Sequence, residues 1–308
     1  MQRRRIGALD VSEVGLGCNN FGMRIDAVQT ERVVGAALDA GINFFDTAEQ
    51  YARGQSEEFL GRALALRRSE AIVATKFGHP ASGPESGGRP ENVRKALEGS
   101  LRRLGTDYID LYQMHRPDPN VPIAETLGAL DELVKAGKLR EIGSSNFAPG
   151  QIRQAAEAVP EGAARFVSVQ NDYSLLRRQP ESGALTECER RGVAFIPYFP
   201  LANGLLTGKY RKGQPVPEGT RIASMPPQNP LLTAQNLDLV ERLVAFSESR
   251  GHTLLELAFS WLLSRPTVAS VIAGATKPEQ VHANASAANW TLSDADLREI
   301  DSIVPRPM

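Results

Sequence analysis

The chain has 308 residues, 42% of them hydrophobic and 23% charged, with a formal net charge of −1. That length supports one well-covered core, and the near-neutral balance gives no electrostatic reason to expect nucleic acid or an anionic membrane as partner. No run of about eighteen apolar residues occurs, so no membrane-spanning helix is expected.

Arg3, Arg4 and Arg5 open the chain as a solvated edge, because no apolar stretch of a targeting signal follows and Asp10 and Glu13 interrupt what comes next. The pattern predicts an N-terminal hairpin over 4–12, a strand over 14–17, and a capping box at Asp26 and Gln29 opening a helix that reaches about Ala40. Short apolar runs then alternate with amphipathic ones. Strands are expected near 44–46, 71–76, 109–115, 140–145, 166–170, 194–198 and 270–273. Helices are expected near 56–65, 90–104, 123–136, 149–158, 184–191, 233–250 and 277–287, with additional ones at 254–264 and 293–300. Counting the strand over 14–17, eight strands alternate with helices without a linker or composition break. The expectation is a single (β/α)8 barrel domain covering 1–308, with the hairpin at its start and extra helices near its end. An open doubly wound sheet is the second choice. From 202 to 232 the periodicity stops and Pro215, Pro217, Pro226, Pro227 and Pro230 accumulate, which reads as a lid or binding loop. A shorter irregular stretch runs from 77 to 89.

In such a barrel the strand ends share one face, where active sites are built. Here those ends are polar: Asp46, Lys76, His115, Ser145 with Asn146, Gln170 with Asn171, and Tyr198. Each has a bland reading alone, as a strand-end lysine, a hydrogen-bonded core histidine, or an Asp capping a turn with Tyr51 packing behind it. Together they put a carboxylate, an ammonium and an imidazole around one phenol. The expectation is that Asp46 orients Lys76, that Lys76 lowers the pKa of Tyr51, and that His115 orients a carbonyl or assists proton transfer. Hydride has to come from a nicotinamide or flavin, since no side chain donates one. At the last strand, Gly274 is followed by a capping box from Thr276 to Glu279, a helix N-terminus suited to phosphate beside Lys277. Gly15, Gly17 and Gly22 do not make a dinucleotide fingerprint.

The two cysteines, Cys18 and Cys188, fit no metal or redox spacing and suggest a reducing, cytoplasmic setting. His79, His115, His252 and His282 supply no ligand pair, so no metal is expected. Pocket walls are expected from Phe21, Met23, the 77–89 stretch, the segment after Arg116 and the region of Met225, with Phe21, Phe77 and Phe199 hinting at an aromatic pocket. Nothing in the sequence indicates an oligomeric state.

Several separated motifs agree in order with one family: Val14-Gly15-Leu16-Gly17, Phe45-Asp46-Thr47-Ala48 with Tyr51, Thr75-Lys76, the run from Gly105 to Tyr112 with His115, Ile142 to Phe147, Val169-Gln170-Asn171, and Gly204 to Tyr210. Over Val11 to about Ile300 the chain resembles the aldo-keto reductases. The resemblance implies a (β/α)8 barrel with NADPH bound extended across the strand ends and a small carbonyl compound as substrate. It matches Asp46, Tyr51, Lys76 and His115 to a catalytic tetrad with Tyr51 as general acid. It also implies that Ser145, Asn146 and Gln170 hold the carboxamide and that Tyr198 stacks on the nicotinamide. Leu201, Gly204, Leu205 and Lys209 would lie near the pyrophosphate, and Gly274, Thr276, Lys277, Gln280 and Asn284 around the adenosine 2′-phosphate end. Three positions depart from the family. Phe199 replaces a small serine, Gln280 stands where some members place an arginine, and Ala283 replaces an acid; NADPH preference therefore rests on Lys277, and NADH remains open. Two other classes are weighed: a nucleotide-sensing regulatory subunit, against which stand the complete tetrad and the lack of an N-terminal extension, and a barrel aldolase or isomerase using Lys76 as a Schiff base.

Overall fold

A computed structural model describes residues 1–83, 86–225 and 231–307. Two antiparallel strands, β1 (Arg3–Ile6) and β2 (Leu9–Ser12), form the expected hairpin. Eight parallel strands follow: β3 (Val14–Gly17), β4 (Phe44–Asp46), β5 (Ile72–Phe77), β6 (Ile109–Met114), β7 (Leu139–Ser145), β8 (Phe166–Asp172), β9 (Ala194–Tyr198) and β10 (Val271–Gly274). They lie in the order β10-β3-β4-β5-β6-β7-β8-β9. Between the two ends of that order, Phe195 donates its N–H to Thr267 O at 2.7 Å and accepts from Ala269 N at 3.0 Å, which closes the sheet on itself. The second choice, an open doubly wound sheet, is thereby corrected.

Helices α1 (Ala27–Asp39), α2 (Gln55–Leu64), α3 (Pro90–Leu104), α4 (Ile123–Lys135), α5 (Pro149–Glu157) and α6 (Ala184–Arg191) follow β3 to β8 in turn. Then come α7 (Ala234–Glu248) and α8 (Leu254–Leu263) before β10, and α9 (Pro278–Ser286) and α10 (Asp294–Ile303) after it. Strands β4, β5 and β6 are buried at every position, as expected of strands covered on one side by helices and on the other by the barrel interior. Two hydrophobic layers result. One fills the shell between helices and sheet. The other is the barrel interior, where Phe44, Ile72, Ala74, Leu111, Ile196 and Ile272 meet Ile6, Leu9 and Val11 of the hairpin, so the hairpin stoppers the N-terminal end of the barrel.

Local chemistry accounts for the helix ends. Helix α3 begins with Pro90 in its first turn and ends at Gly105 in the left-handed region (φ +63°), the usual pairing of a proline start and a glycine stop. Asp26 caps α1 by accepting from Gln29 N at 2.8 Å, but the reciprocal half of the expected capping box is absent, because the Gln29 amide donates instead to Thr276 O at 3.1 Å. The expected box from Thr276 to Glu279 is corrected as well. Helix α9 is entered at Lys277, with Pro278 in its first turn, and Gln280 Oε1 accepts from Thr276 N at 2.8 Å.

The irregular stretch after β9 is more ordered than its proline content implies. It contains short 3-10 turns at Ala202–Thr207 and Ile222–Ser224, and Leu205, Leu206, Tyr210, Ile222 and Leu231 are buried beneath it. Arg211 pins it to α7 through Glu241 at 2.7 Å. Pro226, Pro227 and Pro230 lie outside the described residues.

Candidate active site

The C-terminal ends of the strands open into a cleft of about 720 Å³. Within the barrel beneath it, apolar side chains give way to a polar layer. Asp46 ends β4 and Lys76 stands one residue before the end of β5; the Lys76 ammonium donates to Asp46 Oδ2 at 2.6 Å and to Thr47 O at 2.9 Å, and lies 3.4 Å from the Tyr51 hydroxyl. Lys76 is fully buried. The other Asp46 oxygen accepts from Gln170 Nε2 at 2.8 Å and Gln113 Nε2 at 3.2 Å, so the carboxylate is held from three sides. Burying an ammonium is costly unless it is paired and hydrogen-bonded, and here both conditions are met.

Tyr51 belongs to the turn after β4, and that turn is tied down at several points. Thr47 and Ser56 share a hydroxyl hydrogen bond at 2.8 Å, Ser56 donates to Cys18 O at 2.8 Å, and Glu49 accepts from Gly78 N at 3.1 Å. His115, just past β6, meets Tyr51 edge-on with ring centroids 6.0 Å apart, and His79 lies on its other side at 4.8 Å. The four residues singled out by sequence are therefore brought together.

Their electrostatics differ from the sequence expectation in two respects. Burial raises the Tyr51 pKa above its ordinary value; Lys76 opposes that rise without reversing it. The phenol is thus a group that stays protonated, which a proton donor has to be, and the expected lowering is corrected. Burial also pulls His115 down to about 2, with Lys76, His79 and Arg116 adding to the effect. A neutral imidazole can orient a carbonyl, but the suggested role in proton transfer is not one it can fill as a cation. For Lys76, burial lowers the pKa, yet Asp46 and then Tyr51 outweigh it and hold the group above its ordinary value. An ammonium held in its charged form by Asp46 and fully enclosed is poorly suited to be a Schiff-base nucleophile, which weighs against the aldolase reading.

Most of the expected cofactor residues line the same cleft: Ser145, Asn146, Gln170, Tyr198, Leu201, Gly204, Lys209, Gly274, Thr276, Lys277, Gln280 and Asn284. Leu205 is the exception; its side chain sits wholly in the core, leaving only its backbone to face a ligand. Asn146 is in the left-handed region (φ +62°), donates to His115 O and Ser145 Oγ at 3.0 Å each, and accepts from the Tyr198 hydroxyl at 2.7 Å. All six non-glycine residues with positive φ among the described residues, Ala52, Arg53, Asn146, Phe199, Ala202 and Asn203, line or flank the cleft, the kind of place where backbone strain collects in functional proteins.

The pocket walls are partly corrected. Phe21 and Phe77 are fully buried in the core and Met23 is exposed elsewhere, so of the three expected aromatics only Phe199 lines the cleft. Missed by sequence reasoning were Gln113 and the arginines. Gln113 was legible as an inward position, two residues from Leu111 on β6. Arg24 and Arg221 sit in irregular segments, and only the fold brings them into one wall; the Arg221 guanidinium lies 5.5 Å from the Phe199 ring, and burial and the neighbouring Arg24 hold it below its ordinary pKa. Arg24, Arg32 and Lys277 further line an adjoining hollow between α1 and α9.

A closed (β/α)8 barrel with a Tyr, Lys, Asp and His set at its strand ends defines a class of barrel oxidoreductase. The Aldo/keto reductase family model matches residues 13–305, and the chain belongs to that family. It is 36% identical over 320 residues to the L-glyceraldehyde 3-phosphate reductase of Escherichia coli K12, covering 98% of this chain and 92% of that protein. Identity to the aldo-keto reductase yakc [NADP(+)] of Schizosaccharomyces pombe is 34% over 307 residues, covering 96% and 89%. Among solved structures, a glycerol dehydrogenase from Gluconobacter oxydans superposes with a TM-score of 0.86 at 32% identity, covering all of this chain and 97% of that one.

Proposed function

We propose that this protein, acting as one barrel domain, reduces an aldehyde or ketone to its alcohol with NADPH, Tyr51 donating the proton. The observation that carries the reading is the Tyr51 hydroxyl poised 3.4 Å from a buried ammonium that is itself held by Asp46.

The cleft suits a phosphorylated dinucleotide on several counts. Gly274 is an exposed glycine at the end of β10, where an added Cβ would approach the Asn20 amide within 3.0 Å. Asn203 lines the cleft with a buried side-chain oxygen that has no hydrogen-bond partner among the described residues. Cations gather toward the β10 and β3 side, beside the N-terminus of α9, whose dipole favours a phosphate. Arg24, Arg32 and Lys277 provide the positive charge that Gln280 does not, which favours NADPH over NADH. Lys209, Leu201 and Gly204 suit the pyrophosphate, Arg221 beside them. Gly274, Thr276, Gln280 and Asn284 surround the adenosine end. Ser145 and Asn146 face the carboxamide with Gln170, whose amide nitrogen is committed to Asp46 and whose oxygen is left to accept. Tyr198 supplies the stacking face.

When bound, a reduced nicotinamide supplies the hydride. As negative charge develops on the carbonyl oxygen, Tyr51 gives up its proton, and Lys76 stabilises the phenolate left behind. Asp46, fixed by Gln113 and Gln170, keeps that ammonium aimed. Neutral His115 directs the carbonyl oxygen toward the phenol. No helix of the described residues is long and apolar enough to cross a membrane, and a cytoplasmic setting suits the two free, buried cysteines.

The test is NADPH and NADH consumption with a panel of aldehydes, diketones and aldoses, for wild type and Tyr51→Phe. The variant is expected to lose at least about 100-fold in kcat, the scale of general acid catalysis, while still binding NADPH. Full activity in Tyr51→Phe would refute the assignment. Tight NADPH binding without turnover in either protein would favour the nucleotide-sensing reading.

A further inference from the structure

The cations of the cleft divide by strand order. Around the ring β10-β3-β4-β5-β6-β7-β8-β9, β6 stands opposite β10. Arg24 and Lys277 belong to the β10 and β3 side, and Lys209 and Arg221 come from the connection after β9. Arg116 alone among these follows β6, directly after His115, and lines the cleft as an exposed side chain.

No hydrogen bond or ion pair of the Arg116 guanidinium is found among the described residues. Nearby carboxylates are otherwise engaged: Asp118 accepts from Gly88 N and Asn120 N at 2.9 Å each, and Asp172 faces Arg177 at 3.8 Å. The charge of Arg116 nevertheless reaches the reacting centre, where it contributes to the lowering of His115 and His79 and works against the rise of Tyr198. Unpaired positive charge on the wall beside His115, and across the ring from Arg24 and Lys277, is placed for the substrate rather than the nucleotide. A guanidinium offers a planar fork of donors that matches two oxygens of a carboxylate or phosphate.

We propose that Arg116 binds an anionic oxygen group, phosphate or carboxylate, carried by the carbonyl substrate, so that small anionic aldehydes or ketones are the preferred class. The proposal rests on the carbonyl-reductase reading for its kinetic test and stands apart from it in a binding test.

Kinetically, kcat/KM is compared within pairs of similar carbon skeleton that differ in charge: glyceraldehyde 3-phosphate against glyceraldehyde, and succinic semialdehyde against butanal. Wild type is expected to favour the charged member of at least one pair by about 10-fold or more, the scale of one charge-assisted recognition contact; which pair responds distinguishes phosphate from carboxylate. Arg116→Ala is expected to bring that ratio close to one, chiefly through KM, and Arg116→Lys to restore part of it. A wild-type ratio near one for both pairs overturns the proposal, as does an equal loss on charged and neutral members in Arg116→Ala. In the binding test, glycerol 3-phosphate, 4-hydroxybutyrate and glycerol are titrated calorimetrically into wild type and Arg116→Ala, with NADP present. Anion binding that disappears in the variant, even where no aldehyde is reduced, upholds Arg116 and refutes only the reductase reading. Absent anion binding in wild type, or binding unchanged in the variant, overturns the role of Arg116.

Discussion

Replacing Asp46 with Asn removes one charge from the polar layer and leaves its shape almost unchanged. Lys76 then keeps Thr47 O and Tyr51 but loses the carboxylate at 2.6 Å, in a site from which it has no exit to water. Breaking a buried pair by deleting one partner typically costs about 3–5 kcal/mol. For a chain of 308 residues, the unfolding entropy near the midpoint is about 0.65 kcal/mol per kelvin, so the expected loss is roughly 5–8 °C in Tm. The pH dependence has a definite sign. In wild type the folded-state pKa of Lys76 is raised, so its contribution to stability is present below the unfolded value of about 10.4 and is lost as pH climbs through the folded value. In Asp46→Asn, burial acts with little opposition and takes the folded pKa below the unfolded one. The penalty is then greatest below that lowered folded value, shrinks as pH climbs from it toward the unfolded value of about 10.4, and is gone above that. Thermal unfolding of both proteins, followed by circular dichroism from neutral to strongly alkaline pH, reads this directly. A variant within about 1 °C of wild type at neutral pH, or a gap that stays constant to high pH, would show that the pair is not what neutralises the buried ammonium.

His115 is neutral through the whole range above its lowered pKa of about 2, so the kcat/KM profile is expected to show no ionisation of this group between about pH 5 and 8; a titration there that disappears in His115→Asn would contradict the structure. The double change Arg24→Ala with Lys277→Ala is expected to raise the Kd for NADPH by about 10-fold or more, each lost phosphate contact being a charge-assisted one. NADH binding should suffer less, and equal losses measured by fluorescence titration would count against a 2′-phosphate role. Gly61→Ala should destabilise although it improves helix propensity, because the new Cβ of α2 would run into the backbone carbonyl of Leu104. The overpacking cost of about 1–3 kcal/mol exceeds the roughly 1 kcal/mol gained, and a rise in Tm would refute that reading.

What could be read from the sequence was what local chemistry decides. The bounds of α3 follow from Pro90 and Gly105, and the polar strand ends announced Asp46, Lys76 and His115 because an acid, an ammonium and an imidazole closing apolar runs have few structural uses in such number. The errors arise where distant segments meet. Thr276 carries a plausible cap, yet Gln280 folds back onto it and the helix begins beyond Lys277. Lys76 alone suggests a lowered phenol pKa, whereas enclosure of Tyr51 by the whole barrel mouth decides the opposite direction. Phe21 and Phe77 looked like wall residues because aromatic side chains near strand ends suit pockets and cores equally. Arg221 was hidden in an aperiodic stretch, and nothing in its neighbours marks it as facing Arg24, about two hundred positions earlier.

The hairpin that stoppers the barrel has a consequence for how the molecule can diversify. With Ile6, Leu9 and Val11 sealing one end and the Asp46, Gln113 and Gln170 cluster spanning the interior near the other, Asp46 and Lys76 are anchored to strands and Tyr51 to a short turn tied down beside them, while Arg116 and the stretch after β9 are borne on connections. Heritable change can therefore act on the two independently. An insertion or exchange in the stretch after β9, or in the turn that carries Arg116, rewrites which molecule is admitted without moving the ammonium beneath. One inherited chemistry can be offered to a succession of substrates, each selected at the rim.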